Sequence, residues 1–330
     1  MKGRPGQASR PPRPTVVQRA RMGGLLAGIA CLRLLPEALV YRAAYAAGAG
    51  LSLVMNERRT LVRDNLRQVC SGLLARGLAS DRIARAGADE RSLERLVRAV
   101  FGHWAVAYAE AALTMSYTAA QLRERVRVDD RAATAAALGP AADGAATSDA
   151  RIFISPHFGS VELAARYASA VGGLRLTAPM ETVPDPALQA YLEKSRGAGG
   201  VNLIPIRGAA TSLRQALADQ EAVALVADRA IGGSGIPVDL FGASARLPLG
   251  PAVLAIESSV PVYVVGVRRV GPARWASRVE RLEPVAPGPL RMRIHAQLAA
   301  QARAFERLIA DAPEQWWTLL FPIWHRAAVD

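Results

Sequence analysis

The sequence is poor in cysteine, with only Cys31 and Cys70 among its 330 residues. Two cysteines at this spacing match neither a metal site nor a disulfide framework, and free cysteine behaves as a small apolar residue. We therefore expect two buried thiols in a protein of a reducing compartment.

Aromatic and acidic residues are also scarce. Aromatic side chains make up only 5% of the chain and are not interleaved with its basic runs, which argues against a surface that binds nucleic acid. Only 28 Asp and Glu stand against 41 Lys and Arg, which gives a net charge of +13. The positive field would attract nucleic acid, anionic lipid or phosphorylated substrates, and charge alone does not choose among them.

No uninterrupted apolar run reaches the ~18 to 20 residues that a membrane-spanning helix needs. The longest candidate, MGGLLAGIACLRLLPEALVY, is interrupted by Arg33, Pro36 and Glu37, and it offers a poor signal-peptide cleavage site. It follows a basic tail without any acid, of which residues 1–14 are predicted to be disordered. We expect an amphipathic helix on an anionic membrane surface, where each basic residue contributes about 1 kcal/mol. The alternative is a core helix behind an ordinary tail.

What the sequence does contain is a change of pattern along the chain. From residue 15 to about 130, apolar residues recur at helical spacing, as in RSLERLVRAVFGHWAVAYAEAALTM. After a low-complexity stretch, short apolar runs alternate with helical patterns; the runs are RIFIS, LRLTA, VNLIPI, AVALVA and VPVYVVGV. We predict an α/β core over 150–330 with a mainly parallel central sheet flanked by helices. A helical, membrane-associating region at 15–130 precedes it, and the two form one continuous domain over 15–330.

The stretch ISPHFGSVELAARY places His157 just after the apolar run RIFIS, where sites of parallel α/β folds collect. Gly159 allows a tight bend and Ser160 is a suitable N-cap, so that Glu162 falls in the first turn of the next helix. There a carboxylate is favoured by the helix dipole and would orient one imidazole nitrogen. The N-terminus of this helix, which is the positive end of its dipole, also disfavours the imidazolium form of His157. The other nitrogen of the ring is then available as a base near neutral pH. The alternative is a histidine buried in the core.

A second apolar run, AVALVA, is followed directly by Asp228 and Arg229. The carboxyl ends of parallel strands meet at one edge of a sheet, so we expect both side chains near His157. The alternative for Asp228 and Arg229 is a local ion pair.

Four ordered motifs, SPHFGSVELA, VADRA, VDLFG and RLPLGPAVLA, resemble the bacterial lysophospholipid-acyltransferase-like superfamily. The most similar branch contains the lipid A biosynthesis acyltransferases and the phosphatidylinositol mannoside acyltransferases. The resemblance runs from about residue 34 to residue 324, with the specific motifs between residues 154 and 256. It implies that His157 deprotonates an acceptor hydroxyl and that Glu162 orients its ring.

The segment APMETVPDPALQAYLEKSRG is similar to the mannoside-acyltransferase branch, whose glutamate and arginine match Glu181 and Arg196. The sequence departs from the family pattern at three points. Ala230 replaces the last acid of Ala-Asp-Arg-Asp, Leu240 replaces a phenylalanine, and Ser160–Val161 replaces Asn-Trp. These changes put a role for the missing carboxylate in doubt and imply a differently shaped acceptor pocket.

The resemblance implies a membrane-associated O-acyltransferase without a bound cofactor or metal. Its donor would be acyl-CoA or an acylated acyl carrier protein, and its acceptor a phosphatidylinositol-mannoside-like or lipid-A-like glycolipid. Arg229 and backbone amides near Gly159 are candidate oxyanion donors; Arg196 and Arg229 could instead bind phosphates. The expected location is the cytoplasmic face of the inner membrane, as a peripheral protein.

Two other functions stay open at this point. A basic protein that binds nucleic acid or membranes without catalysis would fit the charge, although no recognised nucleic-acid motif is present. A lipid hydrolase would need a serine in a Gly-x-Ser-x-Gly elbow, which the sequence lacks. We interpret His103 as a core histidine, and the Trp-rich end QWWTLLFPIWHR as core with an interfacial rim.

Overall fold

The computed structural model describes residues 15–139, 150–230 and 235–324. The predicted basic tail, residues 1–14, lies outside the described residues. The first part of the chain is helical, as predicted, and ends in a short edge strand. Its elements are α1 (Val16–Leu34), α2 (Glu37–Leu51), α3 (Asn56–Ala75), α4 (Asp81–Ala88), α5 (Glu90–Leu113), α6 (Ala119–Arg125) and β1 (Val126–Val128).

The helix α1 differs from the helices after it because none of its residues is buried. Its start is set by a capping box, in which Thr15 and Gln18 each accept a hydrogen bond from the other's backbone amide. In contrast, α3 and α5 bury the apolar stripes that their spacing predicted. The expectation of two buried thiols is therefore half wrong: Cys70 on α3 is buried, but Cys31 on α1 is exposed.

The second part alternates strands with helices and contains the predicted sheet. Its elements are α7 (Arg131–Leu138), β2 (Arg151–Ser155), α8 (Val161–Ala170), β3 (Leu176–Met180), α9 (Pro186–Ala198), β4 (Val201–Pro205), α10 (Ala209–Ala218), β5 (Ala222–Val226), β6 (Ile236–Leu240), β7 (Ala243–Leu247), α11 (Leu249–Ser258), β8 (Val262–Gly271), β9 (Arg274–Leu282) and α12 (Leu290–Ala310). Short 3₁₀ helices follow α5 and α12.

The central sheet has seven strands in the order β1-β9-β8-β2-β5-β3-β4. All neighbouring pairs run parallel except β8 and β9, which form an antiparallel pair. The five apolar runs recognised in the sequence are β2, β3, β4, β5 and β8. The prediction of a mainly parallel sheet with flanking helices is confirmed.

Alternate residues of each strand lie on opposite faces of the sheet. Ile152 and Ile154 of β2 join a large core with residues of α3, α5, α10, α11 and α12. Phe153, between them, belongs to a smaller cluster on the other face with residues of α7 and α8. The middle of the sheet is thus covered on both sides, which explains why inner strands such as β2 and β5 are almost continuously apolar.

A two-stranded antiparallel hairpin, β6–β7, was not predicted. The motif VDLFG forms the end of β6 and its turn, with Phe241 at a φ of +54°. The Phe241 amide donates to the buried carboxylate of Glu306, and the Phe241 ring lies 5.6 Å from that of Trp316. The hairpin is therefore attached to α12 and to the C-terminal segment.

The described residues include no single helix that is both long and apolar enough to cross a membrane. Among these described residues, α2 and α3 pass that test only when they are taken together, and they are bent by 100° at the break between them.

Candidate active site

The backbone places His157 at the carboxyl end of β2 in a sharp turn before α8. Gly159, in this turn, has a φ of +59°, and a Cβ built on it would lie 2.0 Å from the carbonyl oxygen of Val267 on β8. A side chain at this position would meet both a strained conformation and a clash, so the turn requires glycine, as predicted. Ser160 occupies the N-cap position, but its side chain makes no capping hydrogen bond.

The backbone amides of this turn already donate hydrogen bonds to carbonyl groups of the protein. The Gly159 amide donates to the carbonyl of Gln315 at 2.9 Å, and the Ser160 amide to the carbonyl of Val267 at 2.8 Å. The Phe158 amide donates within the turn to Pro156 at 2.7 Å. The prediction that amides near Gly159 stabilise an oxyanion is therefore wrong for these three groups.

The imidazole of His157 is held by Asp228. Nδ1 of His157 lies 2.6 Å from Oδ1 of Asp228, whose side chain is fully buried, whereas the His157 side chain is 36% exposed. The strand register explains the meeting, because Ser155 of β2 is paired with Val226 of β5 and each side chain lies two residues further on. Nε2 is the remaining ring nitrogen.

Glu162 does not orient this ring through Nδ1, so that part of the prediction is wrong. Glu162 lies in the first turn of α8, as expected, but its Oε1 accepts a hydrogen bond from Arg196 on α9 at 3.0 Å. Because a guanidinium lies within reach on the neighbouring helix, the carboxylate pairs with it. The structure thus joins two predicted residues in an ion pair, 20% and 32% exposed, beside the histidine.

The charges around His157 favour its protonated form. Burial alone lowers the pKa of His157, but the Asp228 carboxylate offsets this by its charge and hydrogen bond, and the net pKa is raised. Arg229 acts in the opposite direction and Glu162 adds a smaller rise. Asp228 responds reciprocally: burial raises its pKa, yet His157 and two further hydrogen-bond donors, Thr318 and Trp316, hold it well below the ordinary range. The expected suppression of imidazolium by the helix dipole is therefore overridden.

Arg229 does not form the local ion pair with Asp228 that we considered as the alternative. Its guanidinium carbon lies 4.4 Å from the centre of the Phe321 ring, a cation–π contact. Within the described part of the chain it makes no ion pair. Arg229 also lines the cavity next to His157, and so does Glu181.

This cavity has a volume of about 500 Å³ and crosses one face of the sheet beneath α8, from β9 to β4. Most of its wall is apolar, and its charged lining residues include Glu162, Glu181, Arg196 and Arg229. The apolar lining includes Ala137, Leu138, Phe153, Ala164, Ala168, Leu176, Met180, Leu192, Leu203, Ala224, Val265, Val267 and Val279. Such a volume is in the range of small-molecule sites, which is about 300 to 1,000 Å³.

The family model described as bacterial lipid A biosynthesis acyltransferase matches residues 87–326, which include the cavity's helices and strands. The chain belongs to this family. Similar curated proteins are the phosphatidylinositol mannoside acyltransferases of Mycolicibacterium smegmatis, 29% identical over 173 residues, and of Mycobacterium tuberculosis H37Rv, 27% identical over the same length. The aligned part is 51% of this chain and 55% and 52% of those proteins, so the chain spans about half the length of the curated relatives it matches.

Residues of the C-terminal segment complete the site of this family member and were missed by sequence reasoning. Trp316 Nε1 and Thr318 Oγ1 donate to Oδ2 of Asp228 at 2.6 and 2.7 Å. Trp316 is buried, as expected for core, but its indole also has this polar function. No local spacing connects these residues to His157, so no signal in the sequence alone pointed to them.

His103 takes no part in this site. It does not line the cavity, and its ring meets that of Tyr45 edge-on with 5.3 Å between centres. Burial, aided by Arg269 and Arg82, lowers the pKa of His103 to about 3, so the ring is neutral. This agrees with a core histidine, although its Nδ1 finds no hydrogen-bond partner among the described residues.

Proposed function

We propose that this chain is an O-acyltransferase that moves a fatty acyl group from a thioester to a hydroxyl of a glycolipid. The observation that carries the proposal is the His157–Asp228 pair, whose imidazole is partly exposed and lies in the wall of an apolar cavity of about 500 Å³. A base beside an apolar cavity is the arrangement that acyl transfer between a lipid donor and a hydroxyl requires. Membership of the acyltransferase family supports the reaction class.

In this reaction Nε2 of His157 accepts the proton of the acceptor hydroxyl as its oxygen attacks the thioester carbonyl carbon. The tetrahedral intermediate then collapses, the carbon–sulfur bond breaks, and the imidazolium returns the proton to the leaving thiolate. The products are an ester and a free thiol. Such general base catalysis contributes about 10²- to 10⁴-fold.

Asp228 stabilises the imidazolium that forms during the reaction. Its carboxylate is buried and accepts from the Nδ1 side, which fixes the tautomer that leaves Nε2 as the base. Glu162 has a different role in this proposal: it holds Arg196 at the wall of the cavity, where both residues can contact the substrate.

Arg229 is our candidate for the group that stabilises the oxyanion. The amides of Phe158, Gly159 and Ser160 are used elsewhere, whereas the guanidinium of Arg229 lines the cavity beside His157. A fixed cation placed where negative charge develops is an effective stabiliser in a site that excludes water.

The cavity is proposed to hold the donor's acyl chain. Each methylene that leaves water for such an apolar site contributes about 0.8 kcal/mol, so the length of the cavity selects the chain. The donor is acyl-CoA or acylated acyl carrier protein, both anionic and suited to a chain of net charge +13.

The acceptor is a glycolipid of the phosphatidylinositol-mannoside type or of the lipid A type. The names of the mycobacterial relatives favour the first, and the name of the family favours the second. We further propose that the protein acts at the cytoplasmic face of the inner membrane, with α1 against anionic lipid. Large apolar side chains of α1 are exposed, among them Val16, Leu26 and Leu34.

The test is an acyl-transfer assay with purified full-length protein, palmitoyl-CoA and either a phosphatidylinositol mannoside or a lipid A precursor, read by mass spectrometry. We expect an esterified product with one acceptor, and a loss of about 10²- to 10⁴-fold for His157→Ala. The matched control is His295→Ala, which removes an exposed imidazole on α12. Full activity of the His157→Ala variant, or thioester hydrolysis without transfer to either acceptor, would contradict the proposal.

A further inference from the structure

The C-terminal segment from Gln315 to Thr318 is bound to both strand ends that carry the catalytic pair. On the histidine side, Trp317 donates its amide to the carbonyl of His157 at 2.7 Å, and Gln315 accepts from the amide of Gly159 at 2.9 Å. These contacts form an antiparallel bridge across the turn. The segment therefore fixes the backbone that presents the imidazole.

The same segment holds the partner of that imidazole. Trp316 Nε1 and Thr318 Oγ1 both donate to Oδ2 of Asp228, at 2.6 and 2.7 Å, while Oδ1 faces Nδ1 of His157. The relative exposures of Asp228, Trp316 and Thr318 are 2%, 0% and 2%, so water does not replace these donors. Both oxygens of the buried carboxylate are thus satisfied by side chains of known position.

This arrangement has two physical consequences. Hydrogen bonds to an ionised group are stronger than neutral ones, so the two donors help to keep Asp228 charged in a site where burial opposes ionisation. They also oppose rotation of the carboxylate, because turning it breaks two hydrogen bonds at Oδ2. One oxygen of the carboxylate is therefore held towards Nδ1 of His157 while the other accepts from both donors.

The segment is itself anchored to the central sheet. The side chain of Gln315 accepts a hydrogen bond from the backbone amide of Arg269 at 2.8 Å and donates one to the backbone carbonyl of Arg269 at 2.9 Å. Arg269 is a residue of β8. The Trp316 ring packs against Phe241 at the tip of the β6–β7 hairpin. The segment that carries the two donors to Asp228 is therefore attached both to β8 and to the β6–β7 hairpin.

We propose that Thr318 and Trp316 are positioning residues, which keep Asp228 ionised and aimed at His157. The inference deepens the proposed acyl transfer and rests on it. Neither residue touches the reacting atoms; both act on the reaction through the carboxylate.

The experiment compares Thr318→Val, which keeps the size but removes the hydroxyl, with Thr318→Ser, which keeps the hydroxyl. We expect Thr318→Val to lower kcat about tenfold to a hundredfold with little change in KM for palmitoyl-CoA, because a hydrogen bond to a buried charge is lost. Thr318→Ser should retain kcat within about threefold. The second variant is Trp316→Phe, which keeps a ring but removes the N–H, and its kcat should also fall. Thermal unfolding of each variant tests whether the protein is folded.

A double-mutant cycle separates positioning from a merely structural role. If Thr318 acts through the carboxylate, Thr318→Val should cost less than about threefold when Asp228→Asn is already present. Equal losses in both backgrounds, or an unchanged kcat of folded Thr318→Val and Trp316→Phe, would overturn the inference. In that case an inactive His157→Ala variant would leave the proposed function standing. Activity that survives His157→Ala would instead remove the proposed function and this inference with it.

Discussion

Replacing Asp228 with asparagine is the sharpest perturbation of the site, because it removes one charge and almost no volume. In the wild type, burial lowers the pKa of His157, and the Asp228 carboxylate more than offsets that effect. Without the carboxylate, burial and the nearby Arg229 both lower the pKa of His157, opposed only by the smaller effect of Glu162. The pKa of His157 therefore falls in Asp228→Asn.

The sign of the pH effect follows directly. A general base works in its neutral form, so the wild-type rate falls as the pH drops through the raised pKa of His157. In Asp228→Asn this acid limb should move to lower pH, below that of the wild type. The rate on the plateau should nevertheless fall by about 10²- to 10⁴-fold, since no charge stabilises the imidazolium; the corresponding change in a Ser-His-Asp triad costs about 10⁴ in kcat.

The assay is kcat/KM for acyl transfer from palmitoyl-CoA over about pH 5 to 9, which reports the pKa of the free enzyme's base. Glu162→Gln is the matched control, because it removes one carboxylate from the same cavity wall. Glu162 is paired with Arg196 and raises the pKa of His157 less than Asp228 does. The acid limb of the pH profile of Glu162→Gln should therefore move less than that of Asp228→Asn. A larger displacement in Glu162→Gln than in Asp228→Asn would refute the assignment of Asp228 as the group that controls His157.

Two further predictions concern the lipid substrates. Ala224→Phe places a ring in the apolar cavity, so donor preference should shift to shorter chains, each excluded methylene forfeiting about 0.8 kcal/mol. Competition between acyl-CoA lengths measures this, and Ala299→Phe at an exposed position of α12 should leave the preference unchanged. Replacing Leu25 and Leu26 with serine, 43% and 45% exposed on α1, should weaken pelleting with anionic liposomes while kcat on detergent-dispersed substrate stays constant. Unchanged pelleting would argue against α1 as the membrane contact.

The part of the fold that could be predicted is the part in which burial on both faces leaves a continuous apolar run. This holds for β2, β5 and β8 in the middle of the sheet. The partly buried β3 and the edge strand β4, which has no buried residue, were recognised by their apolar runs alone. The strand β9, with the sequence RWASRVERL, mixes polar and apolar residues and pairs antiparallel with β8. The hairpin β6–β7 lies outside the central sheet altogether. Neither carries the signal of a doubly covered strand, so both were missed.

Some residues of the site are positioned by local sequence and others by contacts between distant parts of the chain. His157 and Gly159 could be placed from sequence because one tight turn decides their conformation, and the positive φ of Gly159 is a local property. The role of Asp228 depends on β2 and β5 being neighbours in the sheet, and that of Thr318 on the return of the chain after α12. Strand order and the path of a C-terminal segment are long-range properties, which a single sequence does not encode in any local spacing.

The imidazole of His157 is held by Asp228 and not by Glu162, and the burial of the two carboxylates gives a physical reason for this. The Asp228 carboxylate is buried, and such a group is tolerated only with strong partners, which the imidazole, the indole of Trp316 and a hydroxyl supply. Glu162 is partly exposed in the first turn of α8, where a cation from α9 suffices. The buried carboxylate can hold imidazolium in a fixed geometry and with little screening, whereas an exposed one is screened and mobile. A histidine followed five residues later by an acid therefore need not be a catalytic dyad, because the acid can serve to bind the neighbouring helix and its arginine to the same cavity.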